Sequence, residues 1–182
     1  MKNVKDEKIL GEKRRSLLLK WLKEADTPLK GSELASKTNV SRQVIVQDIS
    51  LLKAKNEPII ATSQGYLFLQ ADDPSGYFVE RIIACKHDPS RSKEELSLIV
   101  DHGVTVKDVI VEHPVYGDLT ASIMVSNRKE VEGFIKKIQS SNAAYLSQLT
   151  DGLHLHTLTA DSQEKLDAVC LELEEAKFLV ND

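Results

Sequence analysis

Residues 33–52, ELASKTNVSRQVIVQDISLL, read as two helices joined by a tight turn, the second of them suited to enter DNA. Leu34, Ala35, Val40, Val44, Ile45, Ile49 and Leu52 give an apolar face that changes direction between the helices. Ala35 is small where the helices would cross, and Asn39 tolerates the left-handed backbone of a tight turn. Ser41 is a good N-cap for the second helix. Arg42, Gln43, Gln47 and Asp48 then fall on or near its outer face. Amides and guanidinium groups near the start of such a helix can read base edges in a major groove. Ser41, Arg42, Gln43 and Gln47 are therefore the candidate DNA-binding residues. A helical hairpin buried in a larger core would present a different set of outward polar groups.

The flanks extend this reading. In residues 12–25, EKRRSLLLKWLKEA, the residues Leu17, Leu18, Trp21, Leu22 and Ala25 fall at helical spacing with basic residues opposite. Thr27-Pro28 ends that helix. Two short apolar runs, residues 58–61 and 66–69, surround Thr62-Ser63-Gln64-Gly65, which is a hairpin pattern. Three helices followed by a hairpin make a winged helix. Residues 12–70 resemble the winged helix-turn-helix of the biotin-repressor type, and SRQVIVQDISLLK follows its SR-x-(T/V)-x-x-x-D-I-x-x-L pattern. The resemblance implies DNA binding.

Charge is split the same way. Residues 1–70 carry 13 Lys and Arg against 8 Asp and Glu, a net +5, whereas residues 71–182 carry 11 against 20, a net −9. Binding to phosphates needs local positive charge rather than a basic average. Lys13, Arg14, Arg15, Lys20, Lys30, Lys37, Arg42 and Lys53 form the expected phosphate-contacting set, while Lys2, Lys5 and Lys8 fall in a stretch expected to fray. No apolar run is long enough for a bilayer and the charged start lacks a signal-peptide core, so a cytoplasmic protein is expected. Cys85 and Cys170 sit in apolar surroundings and are read as buried thiols rather than a disulfide. Residues 71–76, ADDPSG, have the composition of a linker. They divide a DNA-binding domain, 1–70, from a regulatory domain, 77–182.

The second domain mixes helix and strand. Residues 77–85 are apolar at a spacing that fits either. Ser92 is expected to cap a helix reaching His102 and stopped by Gly103, with Leu96, Ile99 and Val100 inward. Residues 106–113 and 119–125 read as strands around a Pro114–Gly117 turn. Asn127 caps a helix to about Gln139, residues 153–158 form a strand, Asp161 caps the last helix, and residues 177–180 can add a short strand. Short connections favour an antiparallel sheet with helices on one face, an α+β arrangement.

Four of the five histidines carry chemical information. His154 and His156 are two apart on a strand, so both point to one face, with Cα atoms about 6–7 Å apart. His87 precedes Glu94 and Glu95, and the loop Asp88-Pro89-Ser90-Arg91 can return a first-turn carboxylate toward it. Three imidazoles and a carboxylate suit a divalent transition metal such as zinc, nickel or iron(II). Spacing alone leaves Glu94, Glu95 and Asp88 open as the acid. His113 and Tyr116 flank the HPVYG turn as candidate ligand-binding groups, and His102 fits a helix C-terminus.

CKHD, the EEL helix, EHPVYGDL and DGLHLHTL, following a winged helix, resemble the three-histidine regulatory domain of niacin-responsive repressors of Gram-positive bacteria. The resemblance covers nearly the whole chain. It implies an open-faced α/β sandwich like the histidine-containing phosphocarrier fold. It implies metal ligands matching His-x7-Glu and His-x-His, which fall on His87, Glu95, His154 and His156, and it is the resemblance that selects Glu95. It further implies repression of NAD-synthesis and niacin-uptake genes when nicotinic acid binds, by a homodimer reading two half-sites of double-stranded operator DNA. Two alternatives use the same residues: a metal-responsive repressor, and an enzyme with a DNA-binding head. Against the enzyme, the sequence has no convincing nucleophile–base pair, Gly-rich phosphate loop or ligase-type signature. A purely structural metal is the third.

Overall fold

The computed structural model describes residues 9–69 and 78–180. The chain divides into two compact units, Met1–Asp73 and Pro74–Asp182. The expected linker, residues 71–76, lies outside the described residues, as do Lys2, Lys5 and Lys8.

The N-terminal unit contains α1 (Gly11–Glu24), α2 (Gly31–Thr38), α3 (Arg42–Ala54), β1 (Ile59–Thr62) and β2 (Gly65–Phe68). Asn39 ends α2 in the left-handed region, at φ 51° and ψ 48°. The Ser41 hydroxyl accepts from the Val44 amide and caps α3. Leu18, Leu22, Leu34, Ala35, Ile45, Ile49, Leu52 and Ile59 form the core. Each fully buried Leu or Ile contributes roughly 1.5–3 kcal/mol, so the apolar faces rather than helix propensity hold these short helices. The hairpin pairs Ile59 with Phe68 and Thr62 with Gly65. Leu29 and Tyr66 exchange backbone hydrogen bonds of 2.9 and 2.8 Å, which attaches the wing to the segment between α1 and α2. Gly65 is required there: a Cβ would lie 2.5 Å from the Leu29 carbonyl oxygen.

Two sequence expectations for this unit are overturned. Asp48 is not on the outer face of α3 but buried, ion-paired with Arg14 and, at 3.3 Å, with Arg15. Arg14 is itself buried and donates to the Ile9 carbonyl at 2.6 Å, so it is no phosphate contact. A helix repeats every 3.6 residues, and Asp48 lies next to Ile49 and three after Ile45 on the inward side.

The C-terminal unit runs β3 (Val79–Lys86), α4 (Ser92–Asp101), β4 (Thr105–His113), β5 (Gly117–Val125), α5 (Arg128–Ser141), β6 (Leu153–Ala160) and α6 (Gln163–Glu175), with short 3-10 turns at Pro89–Arg91 and Leu146–Thr150. The sheet order is β3-β6-β4-β5 and every pairing is antiparallel. Helical residues Leu96, Ile99, Val131, Ile135, Leu166 and Leu173 share one core with Ile83, Val106, Ile123 and Leu158 of the sheet. Ile82 and Leu153, of opposite parity on their strands, are exposed. This is the expected α+β, open-faced arrangement.

Local expectations are corrected at three places. Ser92 is the first helical residue of α4, not its cap, and is preceded by a 3-10 turn whose first amide donors meet Asp88. Ser162, not Asp161, caps α6, and Asp161 instead pairs with Lys165 at 2.8 Å. Residues 177–180 make only a bridge to β3, with Lys86 donating to the Phe178 carbonyl at 2.9 Å and Val180 donating to the Ala84 carbonyl at 3.0 Å. Among the described residues, no helix is long and apolar enough to cross a membrane.

Candidate functional site

Three features of the fold bring the C-terminal site together. His154 and His156 alternate with Leu153 and Leu155 on β6, so the imidazoles face the helices while the leucines face outward. His87 follows β3, and its position depends on Gly152. A Cβ at Gly152, whose φ is +87°, would lie 2.3 Å from the His87 carbonyl oxygen. Glu95 comes from the first turn of α4. Of the two carboxylates there, Glu95 turns inward and is 1% exposed, whereas Glu94 is exposed and held by Arg91 in two contacts of 2.9 Å.

His87, Glu95, His154 and His156 are all buried. Glu95 Oε2 is 2.8 Å from His87 Nε2 and 3.5 Å from His156 Nε2, while Oε1 is 3.4 Å from His154 Nε2. The other nitrogen of each ring is taken. His87 Nδ1 meets the Asp88 carbonyl at 2.8 Å, His154 Nδ1 the Gly152 carbonyl at 2.8 Å, and His156 Nδ1 the Asp108 carbonyl at 2.6 Å. A carbonyl only accepts, so each Nδ1 carries a proton and each Nε2 faces Glu95, as a donor when the ring is charged and as a lone pair when it is neutral. Phe178 packs edge-on to His87 at 5.1 Å, with the Arg91 guanidinium over its ring.

The electrostatics follow. Burial favours a protonated Glu95, yet His156, His154 and His87 together hold it well below the usual carboxylate range. Burial disfavours a charged His156 or His87, but Glu95 and the backbone carbonyls outweigh it and raise both. Burial, then Glu95, push the neighbouring Cys85 thiol up. Glu95 Oε1 is buried without a hydrogen-bond partner, because His154 faces it without hydrogen-bond geometry. Three lone pairs and an incompletely paired carboxylate are a donor set that fits a divalent cation. Cys85, Glu95 and His154 also offer ligand atoms within 4.8 Å of one another, a buried cluster able to hold a metal.

Glu95, His154 and His156 form one wall of a cavity of about 140 Å³, which His87 does not line. Val109, Ile123, Phe134, Ile138 and Tyr145 supply apolar surface, and Ser92 and Ser147 supply hydroxyls. A register shift in β4 against β6 positions its rear wall: Asp108 Oδ1 accepts from the Thr157 amide at 2.9 Å while its carbonyl orients His156. His113 and Tyr116 are elsewhere. They lie at the β4–β5 turn, with Tyr116 75% exposed and His113 Nδ1 accepting from the Val115 and Tyr116 amides, and neither lines the cavity. His102 ends α4 and pairs with Glu172 at 2.8 Å.

Sequence reading missed Cys85, Asp108, Gly152 and the walls Phe134 and Tyr145. Cys85 had a signal, since it stands two residues before His87 at strand spacing. Asp108 and the walls had none, because they converge only through sheet pairing.

In the N-terminal unit, Arg42, Gln43 and Gln47 are exposed on α3, and Ser41 is exposed at its N-cap. Gln43 and Gln47 are one helical turn apart and share a face with exposed Ser50. Lys13, Lys20, Lys30, Lys37 and Lys53 are exposed as well, with Lys37 lying over the Trp21 ring at 5.4 Å.

A winged helix-turn-helix and a histidine-rich α+β unit in one chain are the build of a transcription regulator. Residues 14–67 match the helix-turn-helix domain family, and residues 80–182 match the 3H domain family. The chain is 66% identical over 175 residues to the transcription repressor NadR of Bacillus subtilis, covering 96% of this chain and 97% of that protein. It is 38% identical over 175 residues to the probable transcription repressor NiaR of Thermotoga maritima, covering 96% and 98%. The chain belongs to the NadR/NiaR family of transcription repressors. Both relatives are named as repressors and neither as an enzyme.

Proposed function

We propose that this protein is a cytoplasmic, homodimeric, DNA-binding repressor of genes for NAD biosynthesis and niacin uptake, with nicotinic acid as co-repressor. Residues 1–70 bind the operator and residues 77–182 sense the ligand. His87, Glu95, His154 and His156 hold a divalent metal, with zinc, nickel and iron all suited to the donors. When bound, the metal would supply positive charge that attracts a carboxylate. The observation that carries this reading is the shared wall: Glu95, His154 and His156 border an apolar cavity, and His87 contacts Glu95 without lining it. In this reading the aromatic ring of the effector lies against the apolar residues Val109, Phe134 and Tyr145, and its carboxylate faces His154 and His156, all of which line the cavity. The cavity, rather than the exposed His113–Tyr116 turn, is then the effector site.

Arg42, Gln43 and Gln47 read the major groove, with Ser41 fixing the start of their helix. Effector binding shifts the dimer toward a spacing of recognition helices that suits half-sites about 34 Å, or a multiple of that, apart. By linkage, operator binding tightens nicotinic acid by the same factor. Selection from a random double-stranded DNA pool, with and without nicotinic acid in the presence of zinc, tests this. A palindrome enriched only with nicotinic acid is expected. Enrichment that follows zinc alone makes the protein a metal sensor, and no enrichment at all removes the DNA-binding reading.

A further inference from the structure

Cys85 belongs neither to the four proposed ligands nor to the DNA-reading helix, yet it is fully buried beside Glu95. It stands directly opposite His154 in the β3–β6 register. Directly opposed residues of paired strands project to the same face, so Cys85 and His154 point together toward α4. Cys85 Sγ, a Glu95 oxygen and a His154 ring nitrogen lie within 4.8 Å of one another. Sulfur at about 2.3 Å and nitrogen at about 2.0–2.1 Å from one zinc ion stand no more than about 4.4 Å apart, so small side-chain adjustments let all three share an ion. Glu95 Oε1, the oxygen that His154 faces, is buried without a hydrogen-bond partner.

We propose that Cys85 is a sulfur ligand of this metal centre, joining His87, Glu95, His154 and His156 in a mixed nitrogen, oxygen and sulfur site. The proposal rests on the metal reading above and deepens it. Cys85 also packs in the apolar core, but apolar packing alone does not call for a buried carboxylate beside the sulfur. A thiolate donor makes the site soft, favouring zinc, cobalt or nickel over magnesium or manganese.

The test is a cobalt(II) titration of the metal-free, full-length protein under reducing, oxygen-free conditions, followed by absorption. Sulfur bound to cobalt gives an intense near-ultraviolet charge-transfer band, separate from the weaker visible ligand-field bands. Both are expected to saturate together. Cys85→Ser is expected to lose the charge-transfer band and keep the visible ones, and Cys170→Ser to keep both. Visible bands without the charge-transfer band overturn the proposal and leave the histidine–carboxylate site standing. No cobalt bands at all overturn both. If Cys85→Ser fails to fold, Cys170→Ser decides alone: the chain has two cysteines, so a charge-transfer band retained there comes from Cys85, and one lost there overturns the proposal.

Discussion

Among the described residues each unit buries one carboxylate, Asp48 in the first and Glu95 in the second, and the two are completed differently. Asp48 has both oxygens engaged by guanidinium groups, from Arg14 and Arg15 of α1. Glu95 is surrounded by imidazoles whose Nδ1 protons are already committed, and one of its oxygens is orphaned. Arginine is always charged, so Asp48 and its partners are a finished structural set. Histidine is charged only on demand, so the Glu95 cluster is finished by protons or by a metal ion. A buried acid with permanent partners holds a fold together, and one with conditional partners can respond to its surroundings.

Substitution of the two acids is the strongest way to break this contrast. Asp48→Ala leaves Arg14 buried without its partner and is expected to cost about 3–5 kcal/mol, unfolding the N-terminal unit at lower temperature. Glu95→Gln in chelator-treated protein, compared at a pH above the raised histidine values, is expected to cost about 1 kcal/mol or less, because the amide can donate to a neutral ring nitrogen that a carboxylate cannot satisfy. Thermal unfolding read by hydrogen exchange in each unit measures both. Equal costs would mean that Glu95 is as structural as Asp48.

Metal addition sharpens the same contrast. Zinc at about a thousandfold above its Kd is expected to stabilise the C-terminal unit by roughly 4 kcal/mol and leave the N-terminal unit unchanged. Glu95→Gln and His154→Ala should each abolish most of that gain. Gly152→Ala should do so without touching a ligand, because its Cβ would collide with the His87 backbone. Zinc-dependent protection of the N-terminal unit alone would place the ion elsewhere.

A smaller effect is expected from pH in the chelated protein. His87 and His156 are raised above the ordinary value of about 6.5, so their charge stabilises the fold fully below that value and is lost as pH rises through the raised values. Glu95 is held low, so its contribution is present above the ordinary value of about 4.3 and fades as pH falls toward the depressed one. The cluster therefore favours the metal-free fold most between about pH 4.3 and 6.5. Bound zinc should remove the alkaline loss, since it occupies the lone pairs that protons vacate. Unfolding curves of the chelated protein with no alkaline decline would exclude the imidazoles as charged partners.

The contrast also explains what could be read from the chain alone. Local signals were legible: Asn39 and Ser41 stand where the turn and cap require them, and the alternation of His154 and His156 put both rings on one face. The failures are residues whose role is set by a distant partner. Asp48 looked like a surface acid because Arg14, 34 positions earlier, is what makes its burial tolerable. Asp108 gave no sign because its carbonyl reaches His156 only through a register shift. Cys85 was read as apolar packing although it stands two residues before His87 at strand spacing, because only α4 brings Glu95 beside it.

The weakest expected effect concerns the exposed face of α3, where no buried charge is involved. Gln43 and Gln47 are on the surface one turn apart, so their replacement by Ala removes amides without opening a cavity. Stability should change by no more than about 0.5 kcal/mol. Each amide that reads an adenine edge is expected to contribute roughly 1–3 kcal/mol of discrimination, and its loss should relax preference at one or two operator positions. The salt dependence of binding should stay nearly constant, whereas Arg42→Ala should reduce its slope by about one if Arg42 contacts phosphate. Binding measured across salt concentrations on matched and mismatched operators separates the two. A changed slope without a changed preference would move Gln43 and Gln47 from base reading to backbone contact. The recognition helix would then lie in the groove with another face inward, which Asp48, anchored to α1 on the opposite side, makes difficult to accommodate.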